Sequence, residues 1–226
     1  MNKNRVSLEK VVGVAIFSAL AYVVALVCNV IPPVQGFLSL DVKDAVISIA
    51  AFIYGPVSGV LIAFIAAFIE FLTFSTTAWY GFIMNFASSA VFSLTAATIY
   101  KLHRTLNGAL IGYFSAIILT TGVMLILNKF VTPVYLIEFM KMPAEVAKST
   151  VIELLPKVLL PFNLAKSIMN ASVAMLLYKP IVMALRKARI TGGDKGSVSF
   201  NRKSILILVV GGVMLVASVV ILLFIW

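Results

Sequence analysis

Long apolar runs, parted by short stretches that hold most of the charge, constrain this chain more than anything else in it. A helix that crosses a bilayer needs about 20 mainly apolar residues. Reading the runs and their breakers predicts helix 1 over about 9–31, stopped by Pro32-Pro33, and helix 2 over about 42–54, stopped by Gly55-Pro56. Helix 3 follows over 57–74, helix 4 over 81–100 with Lys101 to Arg104 closing it, helix 5 over 107–128 and helix 6 over 157–185. A seventh run reaches from Ile205 to Trp226. The fold class is therefore an all-α integral membrane protein of six helices, with an additional transmembrane helix at the C-terminal end. We divide it into a membrane domain over 1–190, a basic cytoplasmic linker with Gly192, Gly193 and Gly196 over 191–204, and the extra helix over 205–226.

Composition excludes the soluble alternatives. Hydrophobic residues make up 62% of the chain and charged ones 12%, with a mean hydropathy of +1.11, against roughly 45–50% apolar in a soluble domain. After six or seven spans, 226 residues leave no room for a soluble catalytic domain. The first run is long for a signal peptide and lacks a small-residue cleavage site, so it is expected to stay as a helix. Helices 2 and 3 are short for a full span, and they either tilt less or leave a thinned region. Cys28 is the one cysteine and has no internal partner for a disulfide.

A net charge of +10 could suggest nucleic acid, but in a membrane protein basic residues are first a topology signal. With the N-terminus inside, twelve of the 18 basic residues fall on the cytoplasmic side, while Lys43, Lys129, Lys141, Lys148 and Lys157 fall outside. That asymmetry predicts a multi-pass protein of the bacterial cell membrane with a cytoplasmic N-terminus and no nucleic-acid partner. The segment 129–156 carries Pro133, Pro143 and Pro156 among its charges and is expected as an outer connection, either a lid or a solvated loop, in which Glu145 to Ser149 can form a short helix.

No enzyme signature is present: there is no phosphate-binding glycine loop and no His-Glu-x-x-His, and the single histidine, His103, falls in a turn. If the protein pumps, a partner must supply the energy. Intramembrane polar groups are a better guide because they are costly in a bilayer. Asn163, Lys166, Ser167 and Asn170 recur at helical spacing on one face of helix 6. Counted from Lys157, Lys166 lies roughly 13 Å deep at about 1.5 Å per residue. Such a stripe either ties helices together, at about 0.6 kcal/mol per hydrogen bond, or faces a ligand. With Asn128 at the end of helix 5, two amides and an ammonium suit a planar, uncharged heterocycle that offers alternating donors and acceptors. A metal is not expected, since no carboxylate, histidine or cysteine cluster accompanies them.

Glu70 is either a charge partner for a lysine or part of the site. Asp41 and Asp44 open helix 2, where a helix start wants an acidic cap. Phe37, Trp79, Tyr80 and Tyr135 belong either to an interfacial aromatic belt or to a stacking surface. Ala15-x-x-x-Ala19 and Ala21-x-x-x-Ala25 permit close helix packing.

Five segments together resemble a known family. They are Leu-Asp41-Val-Lys-Asp44, Tyr54-Gly55-Pro56-x-x-Gly59, Gly81-Phe-Ile-Met-Asn85-Phe86, Leu-Asn128-Lys-Phe-x-x-Pro133-x-Tyr135 and Pro161-Phe-Asn163-x-x-Lys166. Over about residues 9–187 the chain resembles the substrate-binding S components of energy-coupling factor (ECF) transporters, and most closely the riboflavin-specific ones. The resemblance implies a six-helix S-component bundle and a riboflavin site in its outer half, closed by the loop between helices 1 and 2. Riboflavin is then the transported substrate, with no cofactor. It implies ligand contacts at Asn128, Asn163 and Lys166, and the candidate site as a whole comprises these with Asp41, Asn85, Tyr135, Trp79 and Glu70. It implies docking of a membrane T component on Ala15 and Ala19, two ATP-binding-cassette ATPases as further partners, and release by toppling in the bilayer. The seventh run departs from the family pattern and is assigned to anchoring or association. Rival readings are a carrier driven by an ion gradient, which would want an internal repeat and more membrane carboxylates than Glu70, and a membrane scaffold or embedded enzyme.

Overall fold

The computed structural model describes residues 8–187 and 202–225, and among them it contains eight helices and one isolated β-bridge. In chain order these are α1 Leu8–Cys28, α2 Lys43–Tyr54, α3 Pro56–Thr73, α4 Ala78–Leu102, α5 Leu106–Glu138, α6 Ala144–Leu154, α7 Leu160–Lys187 and α8 Arg202–Ile225. One π turn, Leu155–Leu159, leads into α7. By length and composition α1, α3, α4, α5 and α8 can each cross a membrane.

The short helix stands at the centre. Every residue of α2 from Lys43 to Ala51 is buried, and α2 packs against α1, α3, α4 and α7. A helix buried all round needs small or slender side chains, and Ala45, Ala50 and Ala51 supply them. Twelve residues make it about 18 Å long, less than a bilayer core. The 29–42 connection covers the start of α2, turning Val34, Leu38 and Asp41 into the bundle. There Val34 and Leu38 exchange two backbone hydrogen bonds of 3.0 Å, across a turn with positive φ at Gln35 and Gly36. Gln35 and Gly36 are exposed at the tip of this turn, while Val34, Leu38 and Asp41 are the buried residues that tie the connection to the bundle. Gly55 at φ +98° then reverses the chain, with Pro56 in the first turn of α3.

Three expectations need correction. Helix 5 does not stop at 128, since α5 continues to Glu138 through Pro133. An internal proline removes one backbone bond, and side chains nearby, such as Thr132 bonded to Asn128 at 2.9 Å, keep the region packed. The 129–156 connection is therefore mostly helical: α6 takes up 144–154, and 139–143 is its irregular part. Lys43 is not a surface lysine, being 1% exposed, because the inward-folding loop starts α2 inside the bundle.

α8 packs along α7, with Gly211 close to Leu176 and the Ser172 carbonyl and with Ser218 and Leu222 buried. The linker expected over 191–204 lies outside the described residues as far as 201.

Candidate functional site

Where α4, α5, α7 and the 29–42 loop meet, they line a cavity that is partly open to its surroundings, with about 670 Å³ of empty space counted out to its mouth. α5 supplies Asn128, Thr132 and Tyr135, α7 supplies Phe162, Asn163 and Lys166, α4 supplies Tyr80 and Asn85, and the loop adds Phe37 and Ser39. Asn128 on α5 and Asn163 on α7 are each oriented by their own helix. The amide nitrogen of Asn128 donates to the Met124 carbonyl at 2.7 Å, and that of Asn163 to the Leu159 carbonyl at 2.7 Å. Because an amide has two N–H donors, each retains one for a ligand. Leu159 ends the π turn, so this widened turn sets where Asn163 sits at the cavity wall.

The aromatic wall is continuous. Phe37 packs on Tyr135 with ring centroids 5.9 Å apart, and Tyr135 packs edge-on to Tyr80 at 5.9 Å. Tyr80 donates its hydroxyl to Glu138, which fastens α4 to the far end of α5. Trp79 lies elsewhere: 46% exposed and outside the cavity lining, it stacks on the back of Tyr80.

Behind the cavity lies a buried ionic cluster. Lys166 donates to Asp41 at 2.7 Å and to the Ser39 carbonyl at 3.2 Å. Asp41 also lies 3.6 Å from Lys43 and accepts the Lys43 backbone N–H at 3.2 Å. The N-cap position of α2 is Val42 and not the expected Asp41, so Asp41 acts mainly as counter-ion to two lysines. Lys43 in turn donates to Glu70 at 2.7 Å, and Asn85 donates to the same carboxylate oxygen at 3.2 Å. Ser89 donates to Asp44. Asn170 anchors the assembly by accepting the Ala45 N–H at 2.9 Å and donating to the Asp41 carbonyl at 3.0 Å. Asp41, Lys43, Asp44, Glu70 and Lys166 are the buried charged residues among those described.

Of the eight candidate site residues, Asn85, Asn128, Tyr135, Asn163 and Lys166 line the cavity. Asp41 and Glu70 stand one contact behind it, and Trp79 is outside. Of the two roles the sequence left open for Glu70, the structure shows the lysine partner, which is Lys43 at 2.7 Å. Three membrane carboxylates are buried where that reading counted Glu70 alone. It also missed Thr132, Phe162 and the Ser39 carbonyl. Lys43 had one available signal, since it immediately precedes a run too apolar to face water. The described residues contain no group of three or more His, Cys, Asp or Glu side chains placed to hold a metal ion.

Ala15 and Ala19 are both exposed on α1. α1 packs against α2 and α3, whereas α8 packs on α7, so the extra helix does not lie along the alanine face.

A cavity walled by aromatic rings and amides inside a bundle of membrane-crossing helices has the character of a membrane-embedded binding protein. Comparison with known proteins gives the class a family. Residues 9–178 match the model of the ECF transporter substrate-specific component, and the chain belongs to that family. It is 32% identical over 180 residues to the riboflavin transporter RibU of Staphylococcus aureus (strain TCH60), covering 79% of this chain and 93% of that protein. The riboflavin transporter FmnP of Bacillus subtilis (strain 168) is 28% identical over 188 residues, covering 80% of this chain and 98% of that one. A solved structure described as "Structure and mechanism of the S component of a bacterial ECF transporter" matches with a TM-score of 0.63 and 31% identity, over 78% of this chain and 97% of its own. α8 begins after the matched family region ends.

Proposed function

We propose that this chain binds riboflavin in the cavity between α4, α5 and α7 and takes it up across the bacterial cell membrane as an ECF S component. The observation that carries this reading is the convergence of Asn128, Asn163 and Lys166 with Tyr80, Tyr135 and Phe162 around one cavity, in a chain similar to two riboflavin transporters. An isoalloxazine ring offers carbonyls and ring nitrogens to the amides and a π face to the aromatic wall. Lys166 would donate to the ligand while keeping Asp41, since an ammonium has three donors. Asp41 and Glu70 hold the two lysines in place, and Asn85 links that cluster to the cavity. Trp79 would act at the membrane interface.

With no phosphate-binding loop of its own, the chain would depend on a membrane T component and two ATP-binding-cassette ATPases. Ala15 and Ala19 would provide the T-component docking face. Twelve of 18 basic residues then lie inside with the N-terminus, and the cavity opens to the outside. Residues up to about 190 would form the binding domain, with α8 as an accessory anchor.

Titrating detergent-solubilised, ligand-stripped protein into riboflavin should quench the vitamin's fluorescence with one-to-one stoichiometry. Absence of quenching at micromolar protein would overturn the substrate assignment. Ala15→Trp and Ala19→Trp should bind riboflavin normally yet fail in uptake, and uptake surviving in both would move the docking surface elsewhere.

A further inference from the structure

A second cavity, of about 540 Å³, opens at the opposite end of the bundle beneath the α2–α3 turn. Its lining includes Phe52, Tyr100, Pro56, Lys101 and Arg104, and it contains no carboxylate. Lys101 and Arg104 are exposed, and neither forms an ion pair among the described residues. Phe52 and Tyr100 stack at 4.3 Å and floor the cavity with a rigid aromatic pair. The first turn of α3 begins at its rim, adding the positive end of an 18-residue helix to the two cations. Lys101 and Arg104 are the charged side chains in its lining, and they outweigh the carbonyl ends of α2 and α4 that reach the same cavity and the more distant Glu9, which acts on Tyr54.

The apolar surface leading away from it has a matching shape. Val57, Leu61, Phe64 and Phe68 are all exposed, and their spacing of four, three and four residues puts them on one face of α3. From Val57 to Phe68 this stripe is about 16 Å long at the helical rise, close to half of the roughly 30 Å hydrocarbon core. An anion site at one end of an apolar track one leaflet deep fits a molecule with a phosphate head and an acyl tail.

We infer that this end of the protein holds an anionic phospholipid, its phosphate between Lys101, Arg104 and the start of α3 and one acyl chain along the Val57–Phe68 face. Basic pockets between membrane helices are a recognised setting for anionic headgroups. The site is separate from the outer cavity and does not depend on which vitamin that cavity takes. A free inorganic anion shares the headgroup chemistry but has no use for the stripe.

The test uses the full chain in nanodiscs of phosphatidylcholine doped with phosphatidylglycerol, read by native mass spectrometry of the lipids retained on extraction. Two basic side chains, each with the attraction typical of a residue at an anionic surface, predict roughly a 30-fold preference for phosphatidylglycerol. Lys101→Gln with Arg104→Gln should reduce it to about unity, whereas Lys148→Gln, at the other end of the molecule, should leave it unchanged. Leu61→Ser with Phe64→Ser should weaken retention of phosphatidylglycerol and leave a thermal shift by inorganic phosphate as it was. A preference that survives the Lys101 and Arg104 changes would overturn the site and leave only diffuse attraction to the positive end. A thermal shift from inorganic phosphate alone, equal to that from phosphatidylglycerol, would overturn the lipid and leave an anion site.

Discussion

The two halves of the bundle meet the same requirement in opposite ways. In the half that ends at the α2–α3 turn, the buried polar side chains are hydroxyls, most of them held by one another or by backbone carbonyls: Ser48 meets Tyr113 at 3.2 Å, Tyr100 meets Tyr178 at 3.1 Å, and Ser58 donates to the Tyr54 carbonyl at 3.0 Å. The Tyr54 hydroxyl has no partner among the described residues. The packing around them is alanine, isoleucine and aromatic rings. In the cavity half, three carboxylates and two ammonium groups are buried, with Asp41, Lys43, Glu70 and Lys166 joined by ion pairs and Asp44 held beside them by Ser89. Replacing buried ions by apolar groups of similar volume is often neutral or stabilising, so such a cluster is poor evidence of stability for its own sake. The contrast indicates that one half is built to pack and the other to hold a fixed field against a cavity wall.

The largest test of that contrast removes its hub. Asp41→Ala takes away the carboxylate that Lys166 and Lys43 share, leaving Lys166 buried without a counter-ion. Stability should fall by about 3–5 kcal/mol, the range for breaking a buried pair, read as a large drop in melting temperature of the ligand-free protein in detergent. Adding Lys166→Met to Asp41→Ala should restore part of it, because Lys43 keeps Glu70 at 2.7 Å. A double variant no more stable than Asp41→Ala would show that the two residues are not coupled.

Next in size is Lys166→Met alone, which separates ligand binding from scaffolding. Here Asp41 retains Lys43 at 3.6 Å, so melting should fall less than in Asp41→Ala. Riboflavin affinity should drop by about 1.5–3 kcal/mol, the range for a hydrogen bond to a charged group, which is roughly ten- to 150-fold. Unchanged affinity would make Lys166 a purely structural member of the cluster.

How much of this was legible in the sequence follows the range of each interaction. The stripe Asn163, Lys166, Ser167 and Asn170 was readable because helical periodicity is local, and so was the reversal at Gly55-Pro56, where residue chemistry forces the turn. Pro133 misled, because a proline predicts a stop only where nothing around the helix makes good the lost bond. The partner of Lys166 was out of reach: Asp41 lies 125 residues away and is brought in by a loop whose inward path depends on the space left above a short α2. Trp79 and Tyr80 show the finest limit. Adjacent residues on a helix point about 100° apart, so one faces the cavity and the other the outside, although the sequence offered both the same two roles, interfacial belt or stacking surface.

The smallest expected effect lies in the other half. Tyr113 is 2% exposed, and its hydroxyl meets Ser48 at 3.2 Å. Ser48 already donates to the Ala45 carbonyl at 2.9 Å, so its own proton stays satisfied when the tyrosine hydroxyl is removed. The ring keeps its neighbours in Tyr113→Phe, with Phe52 at 5.2 Å and Phe92 at 6.0 Å between centroids. What is lost is one neutral hydrogen bond, and no charge is left unpaired, so the cost should be about 0.5–1.5 kcal/mol. Riboflavin affinity should not change, because none of these residues lines the cavity proposed to hold it. If Tyr113→Phe lowered the melting temperature as far as Asp41→Ala does, the half that ends at the turn would depend on its polar network as much as the cavity half does, and the division of labour drawn from the buried charges would fail.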